Sequence, residues 1–103
     1  MLVLKRHPLV RADLQAAFDW YEDEQAGLAH AFAVDFRNAY RRLREGPLLY
    51  AIRFADVRRV NFSRFPYGIF YTLKSEELIV IAVLHASRDT EAILGERRKR
   101  FQS

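Results

Sequence analysis

From Pro8 to Gly46 the apolar residues recur at helical spacing, and from Val57 to His85 they recur at strand spacing. Leu14, Ala17, Phe18 and Tyr21 fall at i, i+3, i+4 and i+7, one face of a helix. That helix should begin near Pro8, because a proline's missing N–H costs nothing in a first turn. Arg11, Asp13, Gln15, Asp19, Glu22 and Asp23 fall on the other side, and Gly27 marks the expected stop. A second helix is expected from Leu28, with Ala29, Phe32, Ala33, Phe36, Tyr40 and Leu43 on its apolar face. Arg37, Arg41, Arg42 and Arg44 sit mainly off that face, towards the C-terminal end where cations suit the helix dipole. Glu45-Gly46-Pro47 predicts a firm stop, with Gly46 left-handed and then a proline that cannot continue the helix. About three residues separate the two helices, which predicts an antiparallel hairpin.

The second half reads as strands. Val57 to Phe62 alternates, with Arg58, Val60 and Phe62 on one face and Val57, Arg59 and Asn61 on the other. Ser63 to Pro66 forms the turn, since proline is unwelcome inside a ladder. Tyr67 to Leu73 follows, with Tyr67, Ile69, Tyr71 and Leu73 on one face, and Lys74 to Glu77 makes a hairpin turn. Leu78 to His85 is apolar on both faces and predicts a central strand covered from both sides. Leu2 to Lys5 is an edge or flanking strand, and residues 48–56, LLYAIRFAD, are a connection with a short extended piece. The tail from Thr90 to Ser103 sets Ile93, Leu94 and Phe101 among Arg97-Arg98-Lys99-Arg100. It reads either as a short helix over the second face of the sheet or, at its basic run, as a charged and frayed terminus. The predicted fold is therefore α+β, in the order β-α-α-β-β-β. An N-terminal strand leads into an antiparallel helix hairpin packed on one face of a small, mostly antiparallel sheet, followed by a short basic tail.

Composition narrows the class. The 103 residues suit one domain spanning 1–103, and an apolar half with 14% aromatics is enough for a core without staples. Without cysteine there is no disulfide framework and no thiolate metal site, and a reducing cytoplasm is the natural compartment. The N-terminal charges follow a very short apolar run, the reverse of a signal peptide. The longest apolar run, Leu78 to Leu84, is too short to span a bilayer, so no membrane association is expected. Net charge is +4 and unevenly placed. Residues 1–52 balance seven Lys/Arg against seven Asp/Glu, whereas residues 53–103 carry ten against six. Such a basic, Arg-rich half suits an acidic partner, either nucleic acid or an acidic protein segment, or else it is ordinary solvated surface.

The local chemistry gathers around His85, Ser87, Arg88 and Asp89. A histidine at the end of a buried strand suits a general acid or base at neutral pH, and equally a local hydrogen bond that closes the strand end. Arg58, Arg59, Arg64 and Arg88 would converge on one surface if their strands are neighbours. There they would hold phosphates or an acidic protein, or instead Arg59 and Arg88 would form ion pairs with Asp56, Asp89 or Glu91. Tyr67, Phe70 and Tyr71 are either base-stacking or, more simply, sheet packing. His7 and His30 are unpaired in pattern, and no histidine stands at metal-ligand spacing from another ligand, so neither metal nor cofactor is expected.

The chain resembles the RelE/ParE superfamily of toxins from type II toxin–antitoxin systems. The resemblance rests on Asp13-Leu14 and Trp20-Tyr21 in the first helix, Arg58-Arg59-Val60, Phe65-Pro66-Tyr67-Gly68-Ile69-Phe70-Tyr71, and Val83-Leu84-His85-Ala86-Ser87-Arg88-Asp89. It implies a cognate antitoxin whose C-terminal segment wraps and neutralises the toxin. It also implies one of two targets: DNA gyrase, blocked by binding as in ParE-like members, or ribosome-bound mRNA, cut as in RelE-like members. In the second case His85 and Arg88 would be catalytic, with Arg58, Arg59, Arg64 and Arg88 on phosphate. Ribonuclease members often carry an arginine on the middle meander strand, and Gly68 holds that place here. The resemblance therefore favours the ParE-like, gyrase-binding reading over the mRNA endonuclease.

Overall fold

The run that is apolar on both faces becomes the most buried strand. In the computed structural model, which describes residues 2–102, Leu78 to Leu84 are all buried within β5 (Glu77–His85). Before it come β1 (Val3–Arg6), α1 (Val10–Glu24), α2 (Leu28–Glu45), β2 (Ile52–Phe54), β3 (Val57–Asn61) and β4 (Tyr67–Lys74). After it come α3 (Thr90–Arg98) and a 3-10 turn over Lys99–Phe101. The strands form one sheet in the order β1-β5-β4-β3-β2, with β1 parallel to β5 and every other pair antiparallel. The expected α+β order is present, with β1 at an edge and β2 as the short extended piece of the connection. Met1 and Ser103, the ends of the expected 1–103 span and of the tail, lie outside the described residues.

The helix hairpin and the tail cover opposite faces of the sheet. Val60, Ile69, Tyr71, Leu78 and Val80 pack under α1 and α2. Val57, Phe70, Ile79, Ile81 and Leu84 pack under α3, whose Leu94 is fully buried. The basic run is thus part of a docked helix end rather than a frayed terminus. Under the hairpin the core is aromatic. Phe32 of α2 is fully buried, with the rings of Phe18, Tyr21, Phe62, Phe65 and Tyr67 between 4.9 and 5.6 Å from its own, mostly edge-on or tilted.

In β5 strict alternation breaks once. Phe70 pairs with Ala82 but Tyr71 pairs with Val80, so Ile81 is an extra residue. Ile81 and Ala82 therefore both join the α3-side cluster, and Val83 returns to the helix-hairpin side.

Two buried acids, invisible to the apolar pattern, tie the layers together. Asp35 of α2 is buried, and its carboxylate accepts the N–H groups of Ser63, Arg64 and Phe65 at 3.1, 2.8 and 2.9 Å. Three otherwise unpaired donors of the β3–β4 turn are met in this way. Asp13 corrects the expectation that it belongs to the polar side of α1. Its side chain is 8% exposed and pairs with both terminal nitrogens of Arg97 at 2.6 and 2.9 Å. The same carboxylate accepts the Val83 N–H at 3.0 Å, and Arg97 donates to the Ile81 carbonyl at 3.3 Å. Beyond Val80 there is no β1 left to pair with this edge, since the His7 N–H bond to the Val80 carbonyl closes that ladder. Side chains of α1 and α3 take over where the neighbouring strand ends.

The helix ends differ from expectation in three ways. Helix α1 begins at Val10 rather than at Pro8, because His7 to Val10 forms a turn of its own. There the Val10 N–H reaches the His7 carbonyl and the Leu9 N–H reaches His7 Nδ1 at 3.0 Å. Gly27 does not stop α1, which ends at Glu24; with φ of 92° it is the left-handed entry to α2. The Glu22 carboxylate, carried over from α1, accepts the Gly27 and Ala29 N–H groups and caps α2. Gly46 follows α2 as expected, but at φ −146° it is not left-handed.

Breaking a buried, hydrogen-bonded ion pair costs about 3–5 kcal/mol, because the remaining charge stays desolvated. Asp13→Ala should therefore destabilise the chain by about 3 kcal/mol in urea unfolding, and a loss below about 1 kcal/mol would contradict the role given to this pair. His7 supplies a pH-dependent test. Burial, reinforced by the Arg97 and Arg100 charges and only partly offset by Asp13, holds its pKa below the ordinary 6.5. Below about pH 6.5 the unfolded chain binds the proton more readily than the folded one, so stability is lost as pH falls through that window. Thermal melts should show a lower Tm at pH 5 than at pH 7.5. His7→Asn, whose carboxamide oxygen still accepts the Leu9 N–H, should flatten that difference.

Candidate functional site

The alternation of β3 separates the arginines that the sequence groups together. Arg58 pairs across the strand with Tyr71 on the hairpin face, and its Nη1 donates to the Tyr50 carbonyl at 2.7 Å. Arg59 pairs with Phe70 on the α3 face, and its guanidinium lies 5.8 Å over that ring. Arg64 sits in the turn organised by Asp35, with its guanidinium 5.3 Å from the Phe65 ring. Arg88 is exposed beyond β5, beside α1. The expected convergence of the four on one surface therefore does not occur, since Arg58 and Arg59 point to opposite sides of the sheet. Nor do Arg59 or Arg88 take the ion pairs considered for them. Among the described residues, Asp56 is paired with Arg98 at 3.1 Å. Burial pushes the Asp56 carboxyl up, but the Arg98 hydrogen bond and charge outweigh it and hold the group below its usual range.

Gly68 and Arg59 form one unit. A Cβ built on Gly68 would lie 2.9 Å from both Cγ and Cδ of Arg59. The arginine stem of one strand thus fills the space that a side chain of the next would need. Arg59 Nε is buried without a hydrogen-bond partner. Burial, reinforced by the Arg53 charge, lowers the pKa of this guanidinium.

His85 and Arg88, in contrast, are brought together in a cleft of about 320 Å3 between α1 and the end of β5. His85 pairs with Tyr67 across the strands and sets its ring edge-on to the tyrosine at 5.2 Å. Its Nδ1 accepts the Ser87 N–H at 3.0 Å and lies 2.8 Å from Ser87 Oγ. This is the strand-end hydrogen bond considered above, and it leaves Nε2 as the ring's remaining nitrogen. Tyr67 and Tyr71 take the packing role. Burial raises both phenol pKa values, that of Tyr71 to about 12, and the Tyr71 hydroxyl donates to the Pro47 carbonyl at 2.6 Å. Trp20, a member of the cleft, was legible only through its place in the resemblance, because an exposed residue leaves no mark on the core periodicity. Among the described residues no group of three or more His, Asp or Glu side chains gathers in a metal-binding arrangement, and no helix is long and apolar enough to cross a membrane.

The family model described as the ParE toxin of the type II toxin–antitoxin system parDE matches residues 4–90. The chain belongs to that family, and so is a ParE-like toxin component of such a module. Its fold is also that of a solved structure, the chromosomal ParDE system from P. aeruginosa, with a TM-score of 0.75 at 21% identity. That likeness covers 84% of this chain and 98% of the other. No curated protein sequence matches the chain.

The Gly68–Arg59 packing is directly testable. Gly68→Ala should destabilise by about 1 kcal/mol through overpacking against the arginine stem. In an Arg59→Ala background the same change should cost nothing, giving a double-mutant cycle with a clear coupling term. Additive effects in urea unfolding would show that the two positions do not share this space.

Proposed function

We propose that the chain acts by binding rather than by catalysis, that its host target is DNA gyrase, and that a cognate antitoxin neutralises it. The observation that carries this reading is the Gly68–Arg59 unit. Where ribonuclease members of the resembled superfamily often place an arginine, this chain has no side chain, and a neighbouring arginine stem is packed into the space. Arg58 and Arg64 lie away from Arg59, held by the Tyr50 carbonyl and stacked on Phe65. This arrangement does not support a phosphate cradle built from several arginines. Arg59 and Arg88 remain as target contacts, within a single domain spanning the chain and acting in the cytoplasm.

The antitoxin reading draws support from the β1 edge. Val3 and Leu4 are exposed apolar residues on an unpaired strand edge, which is a liability unless something covers it. Beside that edge runs a groove of about 310 Å3 floored by Leu4, Val10, Phe36 and Tyr40 and flanked by Lys5 and Arg6. An acidic, amphipathic segment fits such a groove.

Parallel assays of gyrase supercoiling and of ribosome-bound mRNA cleavage decide between the two targets. The expected result is loss of supercoiling at toxin concentrations that leave mRNA intact. Cleavage that disappears in His85→Ala or Arg88→Ala, with supercoiling untouched, would overturn the proposal in favour of a ribosome-dependent endonuclease.

A further inference from the structure

Trp20 is the chain's only tryptophan, and it stands 62% exposed on α1. Tryptophan is enriched among the residues that carry binding energy at protein interfaces. Here it borders the cleft at the end of β5. Ala12 and Ala16 precede it at four-residue spacing, so the three form an apolar trough along one stripe of α1. The rim is rich in donors. Arg88 is exposed and carries no ion pair among the described residues. His85, with Nδ1 taken by Ser87, offers its other nitrogen as a donor. The one acid lining the cleft, Asp13, is already engaged by Arg97 and the Val83 N–H. An apolar trough beneath a free guanidinium suits an apolar group attached to an anion.

Charge on α1 selects the kind of anion. Asp19, Glu22, Asp23 and Glu24 lie around and beyond Trp20, and no Lys or Arg occurs between Arg11 and Arg37. That field repels a phosphate backbone, whose binding needs an extended basic track. A single carboxylate delivered to Arg88 carries one charge and meets less of that repulsion than a run of phosphates.

We infer that this cleft is a docking site for a protein segment that lays one apolar side chain on the Ala12–Ala16–Trp20 trough and sets one carboxylate on Arg88. The inference rests on the reading of the chain as a protein-binding toxin and names a surface through which it would engage its target. A guanidinium–carboxylate contact adds specificity as well as attraction, so the site would favour acidic over neutral segments of the same shape.

Because Trp20 is the sole tryptophan, its emission reports on this cleft alone. The full chain is titrated with N-acetyl-leucyl-aspartyl amide, with its asparaginyl counterpart and with adenosine monophosphate. The expected result is a saturable change with the aspartyl probe, with a dissociation constant on the order of millimolar for so small a ligand. Binding of the asparaginyl probe should be at least about fivefold weaker, and Arg88→Gln should reduce the aspartyl probe to that level. Equal binding of both dipeptides, no saturable signal, or tighter binding of adenosine monophosphate would each overturn the inference. Supercoiling assays on the same preparations separate the two proposals. Gyrase inhibition without dipeptide binding removes the docking site and leaves the gyrase reading intact. Dipeptide binding without gyrase inhibition does the reverse.

Discussion

The arrangement depends on what happens to β5 after β1 runs out. A central strand with one bare edge would leave backbone groups buried and unpaired at a cost comparable to a lost hydrogen bond for each. Asp13 and Arg97 remove that cost together, the carboxylate taking the Val83 N–H and the guanidinium donating to the Ile81 carbonyl. Because one partner is on α1 and the other on α3, the same pair fixes both helices to one strand from opposite sides. The cleft at the end of β5 has Asp13 in its wall, so its shape follows from this edge closure.

The elements themselves were largely legible in the sequence. Apolar spacing located the hairpin and the meander, and the doubly apolar run identified β5 as the strand covered on both faces. The contacts that lock the elements were not legible, for a physical reason. Periodicity records where apolar side chains go to escape water, and a buried, fully paired acid looks like a surface residue in that record. Asp13 and Arg97 stand 84 positions apart, and Asp35 reaches a turn 28 to 30 residues away. No local spacing rule connects such partners. Gly27 misled for a related reason: a glycine between two helices can end one or begin the next, and the carboxylate of Glu22 decides for the second.

The geometry of the candidate site was legible in part. His85 and Arg88 do share a surface, as their spacing beyond a strand end suggests. The grouping of Arg58 with Arg59 fails on alternation alone, since adjacent strand residues face opposite ways. Gly68 carries more information in the structure than in the sequence. A missing side chain reads as an absence in one dimension, whereas in three it is space occupied by Arg59. The positions are thus coupled, and the residue at one constrains what the other can be.

The extra residue in β5 has a consequence for which surface the protein presents. Before Ile81 the even-numbered residues, Leu78 and Val80, face the helix hairpin; after it the odd-numbered ones do, Val83 in the core and His85 against Tyr67. Without that one-residue phase change His85 would emerge on the α3 side and the cleft beside Trp20 would lose it. Which face the end of β5 presents therefore depends on whether the extra residue is absorbed as a bulge. Deleting Ile81 would restore an unbroken ladder and keep His85 opposite Tyr67, whereas straightening the strand with Ile81 retained would hand the histidine to the opposite face of the molecule.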